Sequence, residues 1–496
     1  MTPRMPHTAE VANPFIDSWF PLSLTMEFVF SSIIMSSLSH KRTKSLISKD
    51  SIEPFTMQEQ QLLEESYIDT VKALNGILRS PTAAATDATM LAVLMMIEMP
   101  VVTSTKDWQK ESPFQAPLQG LQWLNIHGAR EPNLSHQMGL CKLVELRGGL
   151  NNIRIPGLAP AISYRVTVNA ALTLSPPCLP YFPLSGNHNF DLTDIIYASP
   201  DYPELRFSGI YSLGLSEELI EVFQAMAVYT SVLERYISGE SPQMDNQTLC
   251  DWRNLLQHRV LSLPSKEAKS TANIKYEVFR ICALIYSIGV TFPLPGPGAP
   301  FIPLAKMLLS NLQCVDLELV SPSIPESQDV FIWILTMGGI AATGSAERSW
   351  FAEEIYERTL SADMFEWSQY KTRLKNFLWL DIACDMAGKL LWNDLQALKQ
   401  VQDINSFPAI PENQSPCGQC QARKIRCDKL FPCQNCTRGG YKCSQSIDNG
   451  DLKPPRVHIY SSRKRPCELC RQRKVKCDKQ QPCQNCTKGN FACTYF

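Results

Sequence analysis

Histidine is scarce in this chain, with seven in 496 residues. None pairs with another at a metal-ligand spacing. His127 and His136, nine positions apart in sequence of helical character, read as structural or surface residues. No Gly-x-Gly-x-x-Gly, phosphate-loop or His-Glu-x-x-His motif occurs, so nothing marks an enzyme. No apolar run approaches the roughly 18 residues of a membrane helix. The nearest candidate, Leu91 to Val102, is interrupted by Glu98 and reads as a buried helix, so no membrane partner is expected. The opening MTPRMPHTAEVANPF has no apolar stretch behind its basic residue, and no secretory leader is expected. Without an oxidising compartment, reduced cysteines are the expected state.

Net charge is also nearly absent, at −1, but this average conceals a split. From Cys417 to Phe496 there are 17 Lys and Arg against 5 Asp and Glu, while the preceding 416 residues hold 30 against 43. An acidic body thus carries a basic tail, as expected of a chain that meets nucleic acid at one end.

What the sequence does contain is a large apolar share, 44%, enough for a substantial core. The expected fold class is mainly α: a large all-helical domain followed by two small zinc-cluster modules. Residues 1–59 read as weakly ordered, with an apolar stretch, Met26 to Met35, followed by the polar run Ser36 to Asp50. Residues 60–400 read as helical. Ser216 is a candidate cap, followed by Leu219, Val222, Phe223, Met226, Tyr229 and Leu233 on one helical face. Thr271 opens another candidate helix carrying Ile274, Val278, Ile281 and Ile285. Phe377 to Leu395 is a third, with Leu380, Ala383, Ala387, Leu390 and Leu391 inward. Pro176, Pro177, Pro180 and Pro183 form one break, and Pro293, Pro295, Pro297, Pro300 and Pro303 another. Residues 401–416 read as a linker, 417–443 as a first cysteine module, 444–466 as a basic linker, and 467–493 as a second module.

Cysteine is abundant in one place only. Twelve of the 18 cysteines fall within 77 residues: Cys417, Cys420, Cys427, Cys433, Cys436 and Cys443, then Cys467, Cys470, Cys477, Cys483, Cys486 and Cys493. Both sets follow C-x2-C-x6-C-x5-C-x2-C-x6-C, and the second repeats the first at an offset of 50. Zinc takes four ligands in a tetrahedron. Six thiolates complete two such sites only if two of them bridge, which favours two Zn2+ per cluster and four in total. The segments are too short for a hydrophobic core, so metal must supply the folding energy. A disulfide scaffold uses the same even count but lacks a secretory context. Iron–sulfur binding lacks its common C-x2-C-x2-C run. Zinc modules that bind protein instead of DNA remain a rival reading. With every site filled, the tail still carries a formal charge near +8.

Between the ligands lie QARKIR and RQRKVK. A short helix there would present Arg423, Lys424 and Arg426, or Arg473, Lys474 and Lys476, for contact with double-stranded DNA. Lys and Arg donate to guanine O6 and N7 in the major groove. Each segment resembles a fungal Zn2Cys6 binuclear-cluster DNA-binding domain, through CGQCQARKIRCDKLFPCQNCTRGGYKC and CELCRQRKVKCDKQQPCQNCTKGNFAC, which share 15 of 27 positions. The resemblance implies bridging by Cys417 with Cys433 and by Cys467 with Cys483. It also implies base reading of CGG-like triplets by Lys424 and Lys474 beside Arg423 and Arg473. Pro432 and Pro482 match the proline of the loop between the two halves of each cluster. A nuclear regulator of RNA polymerase II genes, with transcription co-regulators as partners, is implied. The alternative is a nuclear zinc-dependent interaction scaffold that does not bind DNA directly. The body, through HQMGLCKLVELRGGL at residues 136–150, resembles the fungal-specific transcription factor domain.

The family usually carries one cluster near its N-terminus, often with a dimerising coiled coil behind it. Here two clusters lie at the C-terminal end, an order explained either by tandem modules that replace homodimerisation or by a faulty gene model or fusion. The 23-residue connection spans about 75 Å when extended, more than the roughly 35 Å of one DNA turn.

Overall fold

The computed structural model describes residues 13–48, 54–80, 84–99, 108–186, 189–198, 215–240, 244–267, 270–314, 325–361, 366–405, 416–428, 432–443, 467–473, 475–478, 480, 482–489, 491 and 493. Among them there is no strand. The chain divides into two units, Met1–Ser406 and Phe407–Phe496.

The first unit is a stack of helices, and the periodic faces read from sequence bury as expected. In Glu217–Ser238, Leu219, Val222, Phe223, Met226, Tyr229 and Leu233 are all buried, and Gly239 ends the helix in the left-handed region. Thr271–Tyr286 is capped by Ser270, whose hydroxyl accepts from the Asn273 N–H at 3.2 Å. Its Ile274, Val278, Ile281 and Ile285 face the core. Asp87–Ile97 is buried along its whole length, as the apolar run suggests.

Four features differ from the sequence reading. The third helix starts at Asp381 and runs to Asn405, into the segment read as linker. Within it Ala383, Ala387 and Leu391 face inward, but Leu390 is 53% exposed beside Ile382 and Met386. Ala383, Ala387 and Leu391 fall in one row four residues apart, whereas Leu390 lies about 100° round the helix in the exposed row of Ile382 and Met386. Pro303 does not break the helix Phe301–Gln313 but lies in its first turn, where the missing N–H costs nothing. The stretch 1–59, expected to be weakly ordered, contains the helix Glu27–Ile47, which packs beside Met57–Ile77. Its buried face includes Ser32, Ser39 and Thr43 with Val29, Ile33 and Met35. The hydroxyls are satisfied locally or by the Glu98 carbonyl, to which Ser39 donates at 2.6 Å. A core face built partly of serine and threonine escapes a search for apolar periodicity. Finally, the Cys141 and Cys178 sulfurs lie within bonding distance, although the sequence reading expects both to be reduced thiols.

Among the described residues, two hydrophobic clusters fill this unit. One gathers the N-terminal helices around Asp87–Ile97, and the other centres on the helices from Glu217 onward. The helix Leu158–Thr173 joins them, placing Leu158 and Ile162 in the first and Val168 and Ala171 in the second. Trp333 sits fully buried against Phe377, Tyr286 and Phe223, with ring centroids 4.7, 6.0 and 6.1 Å away. Its indole N–H donates to the Leu378 carbonyl. Trp333→Ala is expected to cost about 3–5 kcal/mol, read as a lowered urea midpoint by circular dichroism. A loss below about 1 kcal/mol would contradict this packing.

Candidate metal centres

Each module of the second unit is built from two helical turns, each capped by its own first cysteine. Cys417 and Cys433 cap Gly418–Ala422 and Gln434–Gly439, while Cys467 and Cys483 cap Glu468–Gln472 and Gln484–Lys488. A cap residue and the one three positions on lie on the same side of a helix. The C-x2-C spacing therefore brings Cys417 to Cys420, Cys433 to Cys436, and likewise in the second module.

Each turn then stops abruptly. The Ile425 N–H bonds the Cys420 carbonyl and the Lys424 N–H bonds that of Gln421, both at 3.1 Å, with Lys424 left-handed at φ 50°. This is a Schellman closure. Tyr441 to Cys436 at 2.9 Å repeats it around Gly440, at φ 69°. Val475 to Cys470 at 3.1 Å and Phe491 to Cys486 at 3.0 Å make the corresponding bonds in the second module. After each reversal the chain returns with the third cysteine of its half: Cys427, Cys443, Cys477 or Cys493.

The sulfurs converge into four groups of four, each with its sulfurs within 4.8 Å of one another. In the first module these are Cys417, Cys420, Cys427 and Cys433, and Cys417, Cys433, Cys436 and Cys443. In the second they are Cys467, Cys470, Cys477 and Cys483, and Cys467, Cys483, Cys486 and Cys493. Cys417 and Cys433 belong to both groups of their module, and Cys467 and Cys483 to both of theirs. The Cys417–Cys433 and Cys467–Cys483 sulfur separations are 3.6 and 3.7 Å. A zinc–sulfur bond of about 2.3 Å places tetrahedral sulfurs about 3.8 Å apart, so the donor sets fit zinc in both spacing and chemistry.

Electrostatics agrees with that fit. Burial, reinforced by neighbouring thiols, pushes Cys436 and Cys470 up to about 12 and raises Cys420 as well. The Cys486 backbone N–H pulls Cys483 down to about 6. Thiols packed this closely resist ionising together, and a coordinated divalent cation removes that resistance. Among the described residues, the buried hydrophobic cluster of each module consists of its cysteines.

Several positions shared by the two copies hold this frame. Asp428 accepts from the Gln434 N–H at 2.8 Å and Asp478 from that of Gln484 at 3.0 Å. The Asn435 side-chain amide donates to the Arg426 carbonyl at 2.5 Å, and that of Asn485 to Lys476 at 2.8 Å. The Thr437 and Thr487 hydroxyls donate to the carbonyls of Cys433 and Cys483, both at 3.1 Å.

The basic residues are placed differently from the expectation. The first helical turn ends at Ala422, so Arg423 caps it and Lys424 and Arg426 lie beyond it. The Schellman closure is the reason, since it spends the Cys420 and Gln421 carbonyls on reversing the chain. Arg423, Lys424 and Arg426 are exposed, as are Arg473 and Lys476, while Lys474 lies outside the described residues. The Arg423 guanidinium stacks over the Tyr441 ring at 4.0 Å, and that of Arg473 over Phe491 at 4.1 Å. A Cβ at Gly439 or Gly489 would lie 2.2 or 2.3 Å from those rings, so any other residue there would push the stacked ring out of place. Sequence reasoning misses this clamp between the halves of each module. The aligned Arg, Gly and aromatic positions of the two copies are its visible signal.

The fungal Zn(2)-Cys(6) binuclear cluster domain matches residues 415–450 and 465–496. Among curated proteins, the transcriptional regulator AacuB of Aspergillus aculeatus is 36% identical over 61 residues. That alignment covers 11% of this chain and 8% of the length of that relative. No solved structure matches the chain.

Proposed function

We propose that this chain is a nuclear, sequence-specific DNA-binding regulator of RNA polymerase II genes, with each module holding two Zn2+ and reading a CGG-like triplet. The observation that carries this reading is an exposed basic trio, Arg423, Lys424 and Arg426, on the chain reversal between Cys420 and Cys427, in a module whose two cysteine groups share two sulfurs. Sharing supplies eight coordination positions from six thiolates, which is what two tetrahedral ions require. Lys424 and Lys474 carry the base contact. Arg423 and Arg473, held against their rings, add fixed positive charge, and Arg426 and Lys476 meet the phosphate backbone. The helical body, by its resemblance to the fungal-specific transcription factor domain, serves regulation and co-regulator contact.

Two modules on one connection act as two half-site readers, and the linkage raises the effective concentration of the second once the first is bound. Site selection with zinc-loaded full-length protein is expected to return paired triplets. Deleting residues 444–496 is expected to weaken binding to the selected pair at least about tenfold. Unchanged affinity would end the tandem reading. Failure to select any DNA with all zinc retained would favour the interaction-scaffold alternative.

A further inference from the structure

The helical body contains a cavity of about 200 Å³. Trp19, Ile33, Leu94 and Tyr164 supply apolar walls, and Glu98, His127 and Arg165 supply a polar end. An engineered cavity of about 150 Å³ accepts benzene, so this space suits a slightly larger molecule, such as a ring with a short polar arm.

The polar end is not electrically balanced. Glu98 is buried and faces two buried guanidinium groups. The Arg165 Nε lies 3.1 Å from one carboxylate oxygen, and the Arg130 Nη1 contacts the other. Arg130 also donates to the Glu98 carbonyl at 3.0 Å and to the Thr43 hydroxyl at 2.9 Å. His127 Nδ1 is 2.9 Å from Glu98, and burial holds its ring below its ordinary pKa. His40, at the same cavity, is pushed down to about 3 by burial and then by Arg130. Both rings are therefore neutral near pH 7, leaving one carboxylate against two cations. The Nη2 of Arg165 and that of Arg130 have no partner among the described residues. Arg165 is 2% exposed and lines the cavity. Two buried cations set against one carboxylate leave this end of the cavity short of one negative charge.

The backbone beside it supports the same reading. Gln122 and Trp123, both lining the cavity, are consecutive non-glycine residues in the left-handed region, at φ 53° and 57°. Such a conformation persists only where surrounding contacts hold it, and it concentrates at ligand sites. Here the Gln122 carbonyl accepts from the Tyr164 hydroxyl at 3.1 Å, and its side-chain oxygen accepts from Arg253 at 2.5 Å and Asn254 at 2.9 Å.

We propose that this cavity is a binding site for a small apolar carboxylate, whose carboxylate pairs with Arg165 and whose hydrocarbon part lies between Trp19 and Ile33. The site lies within the helical body and stands whether or not the cysteine modules read DNA. Titration calorimetry of the full-length protein with phenylacetate and with octanoate tests it, each acid being compared with its neutral amide. Binding of at least one acid, about tenfold or more tighter than its amide, is expected. Arg165→Met should abolish that preference, and Ala161→Phe, which fills the cavity from its wall without changing a charge, should abolish binding. Equal binding of acid and amide, no binding of either acid, or undiminished binding by folded Ala161→Phe would each overturn the proposal. The acid–amide comparison on the unaltered chain keeps the test decisive if Arg165→Met fails to fold.

Discussion

Cys433→Ala is expected to strip the first module of both its metal ions, whereas Cys427→Ala removes a ligand from only one site. Cys433 belongs to both four-cysteine groups of its module, and Cys427 to one. Native mass spectrometry of the full chain should show about two zinc ions instead of four for Cys433→Ala, with the second module still loaded. Cys427→Ala should give an intermediate content. The structural consequence is equally unequal. Among the described residues, the buried cluster of the module is its own sulfurs, and no hydrophobic set among them would hold the two helical turns together. Structural zinc contributes about 10–16 kcal/mol of apparent binding energy in small metal-folded peptides, far more than the stack and caps can replace. Amide exchange across 417–443 should lose its protection in Cys433→Ala. If Cys433→Ala and Cys427→Ala lose the same amount of zinc, the two groups do not share that sulfur as a bridge.

The cysteine groups are legible in the amino-acid sequence, because metal ligation is written in spacing, and spacing survives without tertiary information. The helical periods are legible for the same reason wherever apolar residues dominate one face, as in Glu217–Ser238. Legibility fails where burial is achieved with hydroxyls. Ser32, Ser39 and Thr43 are as buried as leucines but bond helix carbonyls or Glu98, so the Glu27–Ile47 face looks polar in sequence. Glu98 shows the same limit from the other side. In sequence it merely interrupts an apolar run, and only the fold brings Arg130 and Arg165, 32 and 67 positions later, to its carboxylate. Arg423 is legible as a cation but not as half of a stack, since Tyr441 reaches it through a chain reversal that composition does not encode.

Lys424→Gly is expected to keep the first module folded and zinc-loaded while destroying the sequence preference proposed for it. Lys424 occupies the left-handed position that closes a helical turn, where a side chain costs about 1–2 kcal/mol and glycine nothing. Gly440 holds the equivalent position in the other half of the module, at φ 69°. In the second module the aligned sequence positions carry Lys474 and Asn490. Lysine thus occurs at this aligned sequence position in both copies, and in the first module its backbone preference disfavours the conformation found there. That cost is explained if the side chain is needed where the turn aims it. Removing it should relieve the strain, so metal affinity and thermal stability hold or rise slightly. A lost base contact worth about 1–3 kcal/mol should lower affinity for the selected site by about tenfold to a hundredfold. Binding to unrelated duplex should fall only by the share of one phosphate contact. Equal losses on both duplexes would remove Lys424 from base reading, and unfolding of Lys424→Gly would show that its side chain supports the module instead.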